Sequence, residues 1–236
     1  MKIDTKYIKG RNLIRLFRFL TVVSSVPRFV ADEHYQSNCA KWEDYRNENK
    51  IEYIEKQYEL DFLSYGRYRK FWNDKIAGQR KINAAFNSCE VIATYNALIN
   101  FKDFDEGSSF PELLWHFEKN ATILNGYFGT SFYSIKKFFE KRGYKCCLIA
   151  GNRINNESIS KIEEDYSVYI MYSFNNIEDM KDAIHTVCIT EEKNGYQLHN
   201  AMQFPFVFPT LSEAVYGYNT YNGNCSRPIA LLGVRK

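Results

Sequence analysis

The chain has 236 residues, 45% of them hydrophobic and 25% charged, with a formal net charge of +3. These proportions exclude a disordered polymer, and the length supports one large core without a disulfide or metal staple. No stretch of eighteen apolar residues occurs, so a membrane-spanning helix is not expected.

The charge is unevenly spread. Residues 1–30 hold Lys2, Lys6, Lys9, Arg11, Arg15, Arg18 and Arg28 against Asp4 alone, which leaves the rest of the chain net negative. A nucleic-acid-binding domain would carry its basic patch on the folded body, so no nucleic-acid partner is expected. Within this head Leu13, Leu16, Phe17 and Leu20 recur at helical spacing, with Arg11, Arg15 and Arg18 on another face. The pattern predicts a basic amphipathic helix over residues 10–26, ended by Pro27. Its apolar face serves either to dock on the body or to meet an anionic membrane surface or a partner protein. The apolar run 19–26 is short, and Arg15 and Arg18 interrupt it, so it does not read as a secretory signal. A cytoplasmic chain, with peripheral membrane attachment as a variant, is the expectation.

A second helical pattern runs from Lys41 to Trp72, with Ile51, Ile54, Tyr58, Phe62 and Tyr65 as its stripe. Residues 1–72 therefore read as a helical N-terminal extension packed against a body that spans 73–236. In the body, helices are predicted at 88–101, from Ser109 and Pro111 to Glu118, and at 132–142, where Gly143 ends the helix. Strands follow at 144–149, 166–172, 184–191, 196–200 and 228–235, with short helices near 157–163 and 210–215; residues 216–224 read as a loop. Helices first and antiparallel strands later make an α+β class.

The six cysteines form no CxxC pair, and Cys146-Cys147 sits in an apolar strand, so reduced thiols and no cysteine zinc site are expected. Cys89 differs from the others. It opens an apolar helix after the polar pair Asn87-Ser88, where unpaired N–H groups and the helix dipole favour a thiolate. His185 opens an alternating strand and is a candidate to accept the thiol proton. Asn200 ends the following strand. With Asn194-Gly195 as a two-residue turn, Lys193 pairs with Tyr196, and Asn200 faces Ile189 on the His185 side of the sheet. That register leaves His185 and Asn200 four residues apart along the ladder, so a bulge or a longer loop is required. The same alternation puts His199 on the opposite face.

A Cys at a helix start, a His opening a strand and an Asn ending the next strand resemble a papain-like cysteine peptidase. The order and spacing are closest to the bacterial branch typified by double-glycine leader peptidases. The resemblance covers about residues 79–236. It implies a papain-like fold in which the nucleophile helix packs on a C-terminal antiparallel sheet. It also implies a Cys89–His185–Asn200 triad, with the Asn200 side chain holding the imidazole ring, that cleaves a peptide or amide bond in a peptide or protein substrate and requires no metal or organic cofactor. The residue six positions before the nucleophile, Asn83, would share the oxyanion hole with the Cys89 N–H. The chain departs from the branch in having Asn83 where Gln is usual, with Gln79 the nearest Gln, and Glu90 where Gly commonly follows the nucleophile. Two alternatives stand beside this reading: an acyltransferase on the same fold, and a non-catalytic papain-like module attached to a membrane surface or partner through its basic helix.

Overall fold

The structure is a computed structural model that describes residues 8–49, 53–66, 83–103, 109–126, 128–175, 184–201, 206–221 and 227–236. It is α+β. The eight α-helices among the described residues are α1 (Gly10–Ser24), α2 (Arg28–Glu48), α3 (Ala84–Asn87), α4 (Cys89–Phe101), α5 (Phe110–Ala121), α6 (Phe132–Lys141), α7 (Asn156–Asp165) and α8 (Leu211–Tyr221). The strands are β1 (Lys145–Ala150), β2 (Val168–Phe174), β3 (Ile184–Glu192), β4 (Gly195–His199), β5 (Phe206–Phe208) and β6 (Arg227–Arg235). They form one sheet in the order β1-β6-β2-β3-β4-β5, every neighbouring pair antiparallel.

Strand alternation divides the core in two. On one face Ile170, Tyr172, Phe174 and Cys188 pack with α4, α5 and α6 around Ile92, Leu114, Phe117 and Phe139. On the other, Tyr169, Met171, Val187 and Ile189 meet Ile159 and Ile162 of α7 and Leu211, Ala214 and Val215 of α8. The nearly all-apolar β2 follows from this, because all seven of its residues are buried between two helical layers.

The helix starts are chemically marked. The Asn83 side chain accepts from Phe86 N at the start of α3, and that of Asn155 accepts from Ser158 N at the start of α7. In α5 the Glu112 carboxylate reaches back to Ser109 N at 2.9 Å, and Pro111 occupies the first turn, where a missing N–H costs nothing.

Two elements differ from the sequence reading. The helical stripe over 41–72 is not one helix: α2 ends at Glu48, residues 53–66 run irregularly with a single 3₁₀ turn at Gln57–Leu60, and 67–72 lie outside the described residues. The physical reason is a set of asparagine side chains from elsewhere in the fold. Asn38 bonds both the N–H and the carbonyl of Ser64, and Asn96 bonds both groups of Ile54, so the main chain of these two residues is satisfied without an intrahelical ladder. Ile54 and Tyr65 still reach the core, whereas Tyr58 is exposed. At the other end, α8 extends to Tyr221, through most of the stretch read as a loop over 216–224.

The β3–β4 hairpin also differs. Glu192 pairs with Gly195, so the turn is Lys193-Asn194 and the register is shifted by two from that expected. Gly195 is used for close approach: a Cβ built there would stand 2.1 Å from the Phe208 carbonyl oxygen, and its φ is +130°. One step beyond the last pair, Cys188 with His199, Asn200 falls beside Val187 and two residues nearer His185, and no bulge is needed.

Candidate active site

Cys89 is the first residue of α4, and Ser88 before it is wholly buried with its hydroxyl donating to Ala84 O at 2.6 Å. Position at the helix start leaves the Cys89 N–H without an intrahelical carbonyl. Cys89 as a whole is 5% exposed. Burial and the neighbouring Glu90 carboxylate push it well above the ordinary thiol range, against the smaller opposing effect of the Thr186 main chain and hydroxyl. The thiolate expected from the helix dipole is therefore outweighed, and the resting sulfur is protonated. Thr186 lies against the sulfur, but its hydroxyl is not in hydrogen-bonding geometry with any described group.

His185 precedes Thr186 on β3, so the same end of that strand carries both the thiol's neighbour and the histidine. By alternation Thr186 shares the α4 face with Cys188, while His185 leaves on the face of Val187 and Ile189. No hydrogen bond joins Cys89 to His185. The ring is held instead by Asn200: Nε2 lies 2.7 Å from the Asn200 carbonyl oxygen. A carbonyl only accepts, so Nε2 carries the proton and Nδ1 is the basic atom of the neutral ring. Burial lowers the His185 pKa below its ordinary value and the bond to Asn200 partly restores it.

Asn200 thus meets His185 through its main chain, where the sequence reading has the side chain holding the ring. Its side chain is engaged elsewhere: Nδ2 donates to Gln57 Oε1 at 3.1 Å and Oδ1 accepts from Gln57 N at 3.2 Å. Its own N–H donates to Glu55 Oε2 at 2.9 Å. These three bonds hold Asn200 at φ +61°, a left-handed conformation that asparagine tolerates better than most residues and that turns its carbonyl toward His185.

Asn83 is partly engaged: its Oδ1 caps α3 and one Nδ2 hydrogen goes to Asp61 O at 3.1 Å, which leaves the second Nδ2 hydrogen as the one an oxyanion would use. Gln79, the other candidate, lies outside the described residues. His199 is fully buried on the opposite face and has a complete set of partners: Thr190 Oγ1 at 2.9 Å, Glu55 Oε1 at 2.5 Å, and the Tyr53 ring stacked at 4.0 Å. It clamps residues 53–55 onto β4.

Sequence reasoning missed the polar ring around the sulfur. Glu90 is buried with its pKa raised to about 7, burial being the main cause; Thr130 N donates to its Oε2 at 3.3 Å. Gly129, at φ +68°, makes room for it, since a Cβ there would stand 2.8 Å from the same oxygen. Tyr65 bonds Thr130 Oγ1, and the Tyr172 hydroxyl, near both Cys89 and Glu90, has no hydrogen-bond partner among the described residues. The available signal was Glu90 itself, a charge followed directly by Val91-Ile92-Ala93. Gln57 and Glu55 left no such signal, because their roles depend on contacts about 145 residues away in sequence.

Among the described residues no group of three or more His, Cys, Asp or Glu side chains is arranged to hold a metal ion. Comparison of the chain with protein-family models, with curated proteins and with solved structures returned no match.

Proposed function

We propose that the protein is a thiol hydrolase of papain-like type that cleaves a peptide or amide bond, with Cys89 as nucleophile and His185 as base. The observation that supports this reading is that Cys89 and His185 both stand at one end of β3, although the ring leaves on the opposite face of the sheet from α4. The first residue of α4 lies against Thr186, and the adjacent His185 has its tautomer set by the Asn200 carbonyl so that Nδ1 is the proton acceptor. In this reaction the His185 ring, near the first residue of β3, must turn around the strand end toward Cys89. Nδ1 then takes the thiol proton as the sulfur attacks the substrate carbonyl, forming a C–S bond and an oxyanion. The oxyanion is met by the Cys89 N–H at the helix start. The imidazolium returns its proton to the leaving amine as the C–N bond breaks, and water then hydrolyses the thioester. Asn200 is a positioning residue acting through its carbonyl, and Gln57 and Glu55 position Asn200.

A second reading is favoured by the burial of the sulfur and its raised pKa: a papain-like module that binds and does not cleave. Hydrolysis of a fluorogenic peptide library by the full chain separates the two. Turnover that is lost in Cys89→Ala and in His185→Ala supports the hydrolase, with kcat/KM falling on the acid side only below pH 6.5. Absence of turnover across the library, or turnover that survives Cys89→Ala, leaves the binding module.

A further inference from the structure

The structure sorts the residues of α1 into two arcs. Leu13, Ile14 and Phe17 are buried in the core, where α1 packs on α6 and β6. At 3.6 residues per turn, Arg18, Arg11, Val22, Arg15, Phe19, Asn12 and Leu16 fall on the opposite side, within an arc of about 160°. All seven are exposed. Phe19 is 64% exposed, Val22 82% and Leu16 51%, the last despite its place in the apolar pattern of the sequence. No Asp or Glu occurs between residues 5 and 31. Large apolar side chains beside three arginines, on a helix about 22 Å long, are the composition of an interfacial helix.

We propose that this face of α1 docks on the surface of an anionic lipid bilayer, with Leu16, Phe19 and Val22 entering the headgroup–acyl boundary and Arg11 and Arg15 pairing with lipid phosphates. Charge decides among occupants. A second copy placed symmetrically on the same face would set arginines against arginines. A bilayer offers an apolar layer and an anionic layer side by side, which matches the arrangement of the arc. Arg18 is braced over the Tyr133 ring at 4.3 Å, so part of the basic edge is already rigid in the folded protein. The inference is independent of the hydrolase reading. Among the described residues no helix is long and apolar enough to cross a membrane, and the attachment is to one surface.

The test is co-sedimentation of the full chain with vesicles of phosphatidylcholine alone and with 30% phosphatidylserine, at low and at 0.5 M salt. Binding is expected to the anionic vesicles and to weaken with salt. Replacing Arg11 and Arg15 by Gln should weaken it by roughly fivefold per arginine. Phe19→Ser with Val22→Ser should weaken it by about tenfold or more. Both pairs are exposed, and unchanged thermal melting establishes that the variants fold. No binding to anionic vesicles at low salt, or binding that neither pair of substitutions reduces, overturns the proposal. A concentration-dependent dimer that dissociates in Phe19→Ser/Val22→Ser would assign the face to a second copy and overturn it equally.

Discussion

Glu90 is the residue whose charge most shapes the site, because its carboxylate is buried beside the thiol. Its folded-state pKa of about 7 lies above the ordinary carboxylate value of 4.5, so the folded protein holds a proton that the unfolded chain has released. Stability from this group is therefore present at low pH and is lost as pH rises from 4.5 through 7. Glu90→Gln removes that loss, and its stability relative to the natural chain should improve by about 2–3 kcal/mol between pH 5 and pH 8 in urea melts. The same substitution removes a negative charge that opposes thiolate formation, so Cys89 should be alkylated by iodoacetamide faster in Glu90→Gln at pH 8. An unchanged rate would show that burial alone keeps the sulfur protonated. Asn200 offers a second test. If its carbonyl orients His185, Asn200→Gly keeps the left-handed conformation and retains more peptide hydrolysis than Asn200→Val, which should also lose about 1–3 kcal/mol of stability to strain. Equal loss of activity in the two would return the role to the side chain.

At the scale of elements, the β3–β4 hairpin and α5 carry the positions most sensitive to change. Gly195→Ala places a Cβ against the Phe208 carbonyl at a positive φ, and should lower stability by more than about 1 kcal/mol in chemical denaturation. The loss should appear at the end of β4 as faster amide exchange, since that residue sets the register that brings Asn200 near His185. Glu118 of α5 is 1% exposed and joins three segments: its Oε1 accepts from Gly66 N at 2.7 Å and bonds His34 Nδ1 of α2 at 2.7 Å. Glu118→Ala leaves the Gly66 N–H buried without a partner, which should cost at least about 2 kcal/mol. A change below 0.5 kcal/mol in urea unfolding, a small value on the usual scale of about 1 kcal/mol for point substitutions, would mean that water replaces the carboxylate.

For the whole molecule, the division of the chain at residue 72 does not describe how the core is shared. Leu13, Ile14 and Phe17 of α1, Trp42 of α2, and Ile54, Leu60, Leu63 and Tyr65 belong to the same buried cluster as α4, α5 and β2. Burial of a large apolar side chain contributes about 1.5–3 kcal/mol, so eight of them rival the ~5–15 kcal/mol by which a domain is stable. Residues 73–236 alone should fail to unfold cooperatively, as read by circular dichroism against urea. A sharp two-state transition in that fragment would show the extension to be dispensable.

Much was legible in the sequence because it depends on near neighbours. The period-2 strands, the capped start of α5, the Gly143 end of α6, the basic face of α1 and the entry of Cys89 into an apolar helix all follow from residues a few positions apart. Only the tertiary structure decided the rest. Burial, with a carboxylate beside it, keeps the sulfur a protonated thiol. A turn one residue earlier, with Gly195 pressed on Phe208, sets Asn200 near His185, and Gln57 and Glu55 turn its carbonyl to the ring. Asparagine side chains from other elements bond the main chain of Ile54 and Ser64, in place of the helix that local spacing favours. In each case burial or a contact distant in sequence, in a low-dielectric interior, outweighs a local preference of about 1 kcal/mol or less.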